Sequence, residues 1–204
     1  MCIRLEKEIA MSLRKKKTMK KRREMLRSAA KVVSQKGYDR ATMDDIASEL
    51  LMTKGALYYY FDCKEELIYQ CHELILSEAL KVMEEIVLMD LSPVEKLEKA
   101  IITHIGFAIN EKDILNLILK PEQTFEEDHL RLILEKRQQY DSIFDRIIME
   151  GLNKGVFTSS EPKLVRMMIL GAMNWIQTWY SPHGKQSPEV IAKIYAESLL
   201  KLLL

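Results

Sequence analysis

The stretch TKGALYYYFDCK, residues 53–64, gathers side chains that can hold and read a nucleic acid. Thr53 can cap a short helix with its hydroxyl, and Lys54 can reach a phosphate or the acceptor atoms of guanine. Gly55 and Ala56 keep this end of the helix slim, so that its backbone can approach base edges. These residue types in this order predict a short helix whose first turn contacts double-stranded DNA.

The aromatic run that follows fits the same chemistry. Tyr58, Tyr59 and Tyr60 carry hydroxyls that donate to phosphate oxygens and rings that pack on sugars or thymine methyl groups. One of the three can instead brace the domain from within. Lys64, at the start of the next helix, is expected to lie within reach of the same phosphate backbone.

The preceding residues supply a partner helix. Thr42 is followed three residues later by Asp45, a pattern close to a capping box. A helix over 42–50, a turn at 51–52 and a helix over 53–60 make a helix-turn-helix, in which the second helix enters the major groove.

The net charge of +1 conceals a division along the chain. Residues 1–64 hold 16 Lys/Arg against 8 Asp/Glu, whereas residues 65–204 hold 15 against 22. The densest basic stretch, RKKKTMKKRR at 14–23, has eight cations in ten positions. Lysines and arginines that neutralise phosphates release counterions on binding. The division indicates a basic DNA-contacting module joined to an acidic one, although a solvated tail also explains 14–23.

Helical periodicity runs through the rest of the chain, and strand alternation is nearly absent. The pattern predicts an all-α protein of nine helices, the first three short and the last six longer. We assign a basic extension to residues 1–18, a helix-turn-helix domain to 19–63 and a six-helix domain to 64–204. The first helix is expected over 20–36, and a shorter helix is expected over about 111–119. The long helix that opens the last domain is expected over 64–89, with Asp62 as its N-cap.

The segment ATMDDIASELLMTKGALYYYFDCKEEL resembles the signature of the TetR/AcrR family of transcriptional regulators. The matching positions are Thr42, Ile46, Ala47, Gly55, Leu57, Tyr58, Tyr60, Phe61, Lys64 and Leu67. The resemblance implies a homodimer that binds a palindromic operator through its N-terminal domain and a small molecule through its C-terminal, dimerising domain. The DNA-binding residues that it implies are Thr42, Thr53, Lys54, Gly55, Ala56, Tyr58, Tyr59, Tyr60 and Lys64.

Three features depart from the family pattern. Leu51 stands where the family usually has glycine, and a left-handed backbone there costs a leucine roughly 1 kcal/mol. Cys63 stands where serine or asparagine is common; it is a tolerated small residue or a thiol that senses oxidants beside Lys64. Residues 1–18 precede the position at which chains of the family usually begin. Two interpretations remain open: an arm that contacts DNA, or a start codon that was assigned too early.

The C-terminal helices agree with dimerisation. The segment LVRMMILGAMNWIQTWY, residues 164–180, is apolar on most sides, and Gly171 with Ala172 allows the close approach of another helix. The last helix has a broad apolar surface formed by Val190, Ile191, Ile194, Tyr195, Leu199 and Leu202. An intramolecular core is the competing interpretation.

Candidates for the effector pocket are aromatic and polar side chains on otherwise apolar helix faces. They are His104, Phe107, Asn174, Trp175 and Gln177. The segment 170–192 is similar to the C-terminal part of a subgroup that controls fatty-acid and steroid degradation and responds to acyl-CoA thioesters. The expected effector is therefore a small hydrophobic molecule such as a fatty acyl-CoA.

These features together predict a cytoplasmic, nucleoid-associated repressor that its effector releases from DNA. The alternative is a DNA-binding factor of the same fold with an architectural or cell-cycle role and no effector, which a filled C-terminal core would favour. We predict no catalytic residue, metal site or cofactor, because GxSxG, HExxH and a Gly-rich phosphate loop are absent and the three cysteines lack CxxC spacing. No apolar run approaches the roughly 20 residues of a membrane span, and the stretch 14–23 has only Met19 as an apolar anchor for a membrane surface.

Overall fold

The computed structural model describes residues 2–116 and 121–204, with side chains from residue 18 onward except those of 116 and 123. This described part contains nine α-helices, a 3-10 turn at Pro121–Gln123 and no strand. The helices are α1 Cys2–Lys36, α2 Met43–Glu49, α3 Lys54–Tyr58, α4 Lys64–Leu88, α5 Pro93–Asn110, α6 Lys112–Asn116, α7 Glu127–Asn153, α8 Pro162–Trp179 and α9 Pro188–Leu200. The all-α prediction is confirmed; of the helix expected over 111–119, residues 117–119 lie outside the described part.

Local sequence signals set several helix boundaries. The capping box of α2 is formed: Thr42 Oγ1 accepts from the Asp45 amide at 3.1 Å, and Asp45 Oδ2 accepts from the Thr42 amide at 3.0 Å. Ser92 and Glu95 form a second capping box at the start of α5. Gly37 ends α1 with φ of 84°, a left-handed conformation that glycine adopts without a Cβ clash.

Two expected helix starts are wrong. α1 begins at Cys2 rather than near residue 20, so the basic stretch 14–23 belongs to one continuous backbone helix. α4 takes its N-cap from Cys63 and not from Asp62, because Cys63 has the extended backbone (φ −153°) directly before the first helical residue. Its Sγ accepts from the Glu66 amide at 3.4 Å, the role that serine or asparagine usually fills.

Two hydrophobic clusters share helix α4. One cluster joins α1, α2 and α3 to the N-terminal half of α4 and includes Ile46, Leu57 and Ile68. The other joins the C-terminal half of α4 to α5, α7, α8 and α9 and includes Met83 and Phe144. Because α4 contributes to both clusters, a displacement of this helix in one cluster must be accommodated in the other.

Polar contacts fasten α1 and the N-terminal half of α4 to the C-terminal helices. Arg27 of α1 forms a two-point ion pair with Glu111, which caps the C-terminus of α5. His129 of α7 stacks on Tyr69 of α4 with ring centroids 4.1 Å apart, and its Nδ1 lies 2.8 Å from Glu65 Oε1. Both α1 and α4 are thereby linked to helices of the C-terminal cluster.

Candidate functional site

The short helix α3 presents its outer face to solvent. Thr53 is its N-cap, with Oγ1 accepting from the Ala56 amide at 3.2 Å. Leu57 is fully buried in the N-terminal cluster and fixes the inner face. Among the described residues outside this helix, nothing lies within 4 Å of the place that a Cβ would take at Gly55. The outer face is therefore slim enough to enter a major groove about 12 Å wide.

The three tyrosines at the end of α3 have different surroundings. Tyr59 is 85% exposed and Tyr58 43% exposed, whereas Tyr60 is half-buried against the N-terminal cluster. The Tyr60 ring meets the Tyr59 ring edge-on at 5.3 Å and the buried Phe61 ring at 6.4 Å. Tyr60 is thus the tyrosine that braces the domain, and Tyr58 and Tyr59 are the two free to meet a ligand.

The two lysines expected at DNA also differ. Lys54 is exposed, and its ammonium pairs with Asp44 Oδ2 at 2.6 Å. Such a surface pair contributes little to stability, so a phosphate can replace the aspartate. Lys64 instead donates to the carbonyl oxygens of Tyr38 and Ala41 at 2.6 and 3.1 Å, with its ammonium 4.3 Å from the Tyr38 ring centroid. Lys64 fastens the connection between α1 and α2, and this geometry does not support the expected phosphate contact.

Thr42 is exposed but uses its hydroxyl within the capping box. Its Oγ1 donates to Asp45 Oδ2 at 2.9 Å in addition to accepting from the Asp45 amide. A hydrogen bond from Lys36 Nζ at 2.6 Å, together with those from Thr42, lowers the pKa of Asp45 to about 2. The start of α2 is therefore an ionised cap in which Thr42 is a positioning residue.

The turn between α2 and α3 has a left-handed residue. Leu51 has φ of 52°, the sole positive value at a non-glycine residue in the described part, and its side chain is 94% exposed. The leucine that replaces the family's glycine is accommodated by pointing into solvent, with the conformational strain that was expected for it.

A cavity of about 340 Å³ lies between α4, α5, α7 and α8, and Leu115 of α6 also lines it. Four of the five expected pocket residues line it: His104, Phe107, Asn174 and Gln177. Trp175 does not, because it is 64% exposed on the outer face of α8, where one residue step turns the side chain by about 100°. The volume is at the lower end of the range found for small-molecule sites.

Four polar residues of the cavity were not expected from the sequence. They are His72 on α4 and Arg137, Tyr140 and Asp141 on α7. The three residues on α7 are spaced by three and four positions, which places them on one helix face. Arg137 and Asp141 could have been found as polar residues beside the apolar face that Tyr140, Phe144 and Ile147 form on this helix.

Three of the polar side chains in the cavity form a chain of hydrogen bonds. His104 Nδ1 lies 3.0 Å from the Tyr140 hydroxyl and Nε2 lies 3.2 Å from Asn174 Oδ1. With the amide oxygen of Asn174 as acceptor, Nε2 carries the proton and Nδ1 accepts from the tyrosine. Burial lowers the pKa of His104 to about 4 and raises that of Tyr140. The chain is therefore neutral at pH 7.

Two other polar atoms of the cavity have no hydrogen-bond partner in the described part of the chain. They are His72 Nε2 and Gln177 Oε1, in residues that are 3% and 5% exposed. Burial, and then the nearby charges of Arg137 and Lys136, lower the pKa of His72 to about 4, so this imidazole is also neutral at pH 7. Buried polar atoms are nearly always paired, so these two atoms are free to bond a molecule that enters the cavity.

The α8 and α9 surfaces carry many exposed apolar side chains. On α8 these are Leu164, Met167, Met168, Trp175 and Trp179, and on α9 and the residues after it Val190, Ile194 and Leu202. Trp179 stacks against Tyr195 of α9 with centroids 6.4 Å apart, so the two helices present one surface. An apolar patch of this extent marks an interaction surface.

The described residues show neither a metal site nor a membrane-spanning helix. No group of three His, Cys, Asp or Glu side chains there could hold a metal ion. Within those residues, no helix has both the length and the apolar character needed to cross a bilayer.

Known proteins share both halves of this architecture. The family model for bacterial regulatory proteins of the tetR family matches residues 25–71, and the model for the tetracyclin repressor-like C-terminal domain matches residues 90–203. The HTH-type transcriptional repressor KstR2 of Rhodococcus jostii (strain RHA1) is 24% identical over 189 residues, covering 88% of this chain and 89% of the relative. The fatty acid metabolism regulator protein of Bacillus subtilis (strain 168) is 25% identical over 182 residues, covering 88% and 92%.

A solved structure adds support for the fold. AibR, in a crystal structure with isovaleryl coenzyme A and operator DNA, superposes with a TM-score of 0.73 at 23% identity, over 87% of this chain and 97% of that one. The helix-turn-helix geometry, the six following helices and the two matching family models lead to one conclusion: the chain belongs to the TetR family of DNA-binding transcriptional regulators.

Proposed function

We propose that this regulator is a repressor that a small hydrophobic effector releases from a palindromic operator. The proposal rests on the cavity beside α4. Two buried polar atoms of the residues that line this cavity have no hydrogen-bond partner among the described residues. α4 begins directly after the helix-turn-helix and lines the cavity with His72, Ile75, Leu76 and Ala79. A C-terminal core filled throughout would instead favour a DNA-binding factor without an effector.

The names of the relatives support a class of effector. The Bacillus relative is a regulator of fatty acid metabolism, the Rhodococcus relative is a repressor, and AibR was crystallised with an acyl-CoA and operator DNA. We therefore propose a fatty acyl-CoA as the effector, acting in the cytoplasm on the nucleoid-bound regulator.

For operator binding we propose Lys54, Tyr58 and Tyr59 as the main side-chain contacts. All three are exposed on the outer face of α3 or at its end. Lys54 exchanges Asp44 for a phosphate or a guanine, and the two tyrosine hydroxyls donate to phosphates. Gly55, together with Thr53 and Ala56 in the first turn, lets the backbone approach the bases.

We propose that the exposed apolar surface of α8 and α9 is the dimer interface. Leu164, Met168 and Trp175 recur at four- and seven-residue spacing along one face of α8, which suits packing against the same helices of a second copy. A palindromic operator requires two recognition helices about 34 Å apart, and a twofold dimer supplies them.

The effector acts, on this proposal, by binding one conformation of α4 better than another. An effector shifts the equilibrium only by its differential affinity for the operator-binding and released states. Moving the population from about 1:99 to about 99:1 requires roughly 10⁴-fold tighter binding to the released state. A ligand in the cavity can favour one position of α4, and this position affects the DNA-binding helices because α4 belongs to both hydrophobic clusters.

The DNA contacts are tested by replacing Lys54. We expect Lys54→Ala to weaken operator binding and to reduce the slope of log K against log salt by about 1, because one phosphate contact is lost. Lys185→Ala, at an exposed loop position after α8, is the matched control for net charge. Fluorescence anisotropy on DNA from upstream of the gene measures both. Equal slopes of log K against log salt for the two variants would show that Lys54 of α3 does not contact the DNA phosphates.

The effector is tested in the same assay with a long-chain acyl-CoA. We expect the thioester to release the operator and free coenzyme A, which has the same charged part without the chain, to leave it bound. Release by both compounds would indicate that the phosphate groups of coenzyme A compete with DNA for the DNA-binding surface. An operator complex that no thioester disturbs would favour the DNA-binding factor without this effector.

A further inference from the structure

The cavity provides two unsatisfied polar atoms from two different helices of its lining. His72 Nε2 comes from α4 and Gln177 Oε1 from α8, and both residues are more than nine-tenths buried. The other uncharged polar groups there are already engaged, because Tyr140, His104 and Asn174 are bonded to one another. A ligand that supplies partners to these two atoms recovers hydrogen bonds that the protein alone leaves unmade.

The chemistry of these atoms restricts the partner. Gln177 Oε1 is a carbonyl oxygen, which accepts and never donates, so the ligand must offer an O–H or N–H. His72 is neutral near pH 7 because burial lowers its pKa to about 4. A neutral imidazole Nε2 either donates or accepts one hydrogen bond, and an alcohol or amide satisfies it in either tautomer.

The charges of the lining oppose a free carboxylate at this position. Arg137 is the cation of the lining, and Asp141, four residues along the same helix, is its acidic counterpart. Asp141 is itself paired with Arg166 at 3.1 Å. With both imidazoles neutral, the lining has no net charge to offset the desolvation of an anion. A carboxylate would also set acceptor oxygens against Gln177 Oε1 without a donor between them.

Given the effector role proposed above for this cavity, we infer that it recognises an aliphatic ligand through an uncharged hydrogen-bond donor, an amide N–H or a hydroxyl, bound by Gln177 and His72. Free fatty acids lack that group when ionised. The pantetheine arm of an acyl-CoA has amide N–H groups next to the thioester, so a conjugated chain meets the requirement and the free acid does not.

The test compares ligands that share one chain. Isothermal titration calorimetry on the full chain without DNA would measure octanamide, octanol, octanoate and octanoyl-pantetheine. We expect octanamide, octanol and octanoyl-pantetheine to bind at least about ten-fold tighter than octanoate, the equivalent of about 1.4 kcal/mol. Equal or tighter binding of octanoate, or no binding of any of the four, would overturn the inference.

Two variants locate the donor site. Gln177→Leu should remove most of the preference for octanamide over octanoate, and Gln139→Leu, at an exposed position of α7, should keep it. The melting temperature of unliganded Gln177→Leu should equal or exceed that of the native chain, since an acceptor without a partner is removed. A preference retained in Gln177→Leu, or a melting temperature several degrees lower, would show that this side chain has a structural role instead.

Operator release, measured separately, distinguishes this inference from the function on which it rests. If octanamide binds with the expected preference and leaves the operator complex intact, the ligand chemistry holds and effector control fails. If octanoate binds more tightly and releases the operator, effector control holds and the ligand chemistry is wrong.

Discussion

Replacing Gly151 with alanine should destabilise the protein severely, although glycine-to-alanine changes inside helices usually stabilise. Gly151 lies in α7, two residues before its end, and is buried. A Cβ at this position would lie 2.0 Å from Phe157 Cδ2 and 2.5 Å from Cε2, where ordinary contacts begin at 3.4 Å. The ring would have to move by at least 1.4 Å, the difference between 3.4 and 2.0 Å.

The contacts of Phe157 prevent its ring from moving away from the added Cβ without a large loss of free energy. The Phe157 amide donates to the Gly151 carbonyl at 3.2 Å, and the next residue, Thr158, donates its amide to the Leu203 carbonyl at 2.7 Å. The ring itself is 2% exposed within the C-terminal cluster. Overpacking a core costs about 1–3 kcal/mol, and complete expulsion of a phenylalanine costs about 3–5 kcal/mol. We expect a loss of roughly 3 kcal/mol, a large share of a typical stability of about 5–15 kcal/mol.

Urea unfolding followed by circular dichroism, at one fixed protein concentration, measures this loss. Gly106→Ala is the matched control: it lies inside α5, and no described atom outside the helix lies within 4 Å of the added Cβ. It should stabilise by about 0.5–1 kcal/mol. In the double variant Gly151→Ala/Phe157→Ala the clash is absent, so its loss should be close to that of Phe157→Ala alone. A small loss for Gly151→Ala, or strictly additive losses, would refute the close approach of this ring.

Three further predictions use the same protein. Leu51→Gly should raise the free energy of unfolding by about 0.5–1 kcal/mol, because it relieves a left-handed leucine whose side chain is 94% exposed; a lower midpoint in urea would contradict this. His72 and His104 have pKa values of about 4 in the folded chain against 6.5 in the unfolded chain. The free energy of unfolding is therefore unaffected by these two groups above pH 6.5 and decreases as the pH falls towards 4, by roughly 2 kcal/mol for each imidazole at pH 5. Unfolding at pH 7.5 and 5 measures it, and equal stability at both would show that the imidazoles are not buried as neutral groups. Deleting residues 1–18 should lower the salt slope of operator binding because the cations at 14–17 are lost; an unchanged slope would make this part of α1 a passive extension.

Features fixed by neighbours in the sequence were predictable. The Thr42–Asp45 capping box depends on contacts within three residues, and it appears as expected. The contacts of Lys64 were not foreseen because its partners, the carbonyls of Tyr38 and Ala41, are more than twenty positions away. A lysine beside a DNA-binding helix has the same sequence signature whether its ammonium is free or already bonded.

The cavity was predictable only in part because five helices form it together. His104 and Phe107 were recognised as unusual residues on an amphipathic helix, and both line it. His72 and Tyr140 were overlooked because their spacing fits the buried faces of α4 and α7 equally well. Trp175 was included as an aromatic residue on a largely apolar helix, but its angular position on α8 places it outside the cavity. Only the packing of the helices shows which polar side chains face a common space.

The two unpaired atoms also restrict how an effector can act on DNA. On the proposed function, a ligand bound to both His72 and Gln177 connects α4 with α8, the helix whose outer face is the proposed dimer interface. α4 starts at the recognition domain, so the ligand fixes the position of that domain relative to the dimer axis. An aliphatic chain alone fills the cavity without making this connection. The hydrogen-bonding group, more than the chain, is therefore expected to decide whether a bound molecule changes the spacing of the two recognition helices.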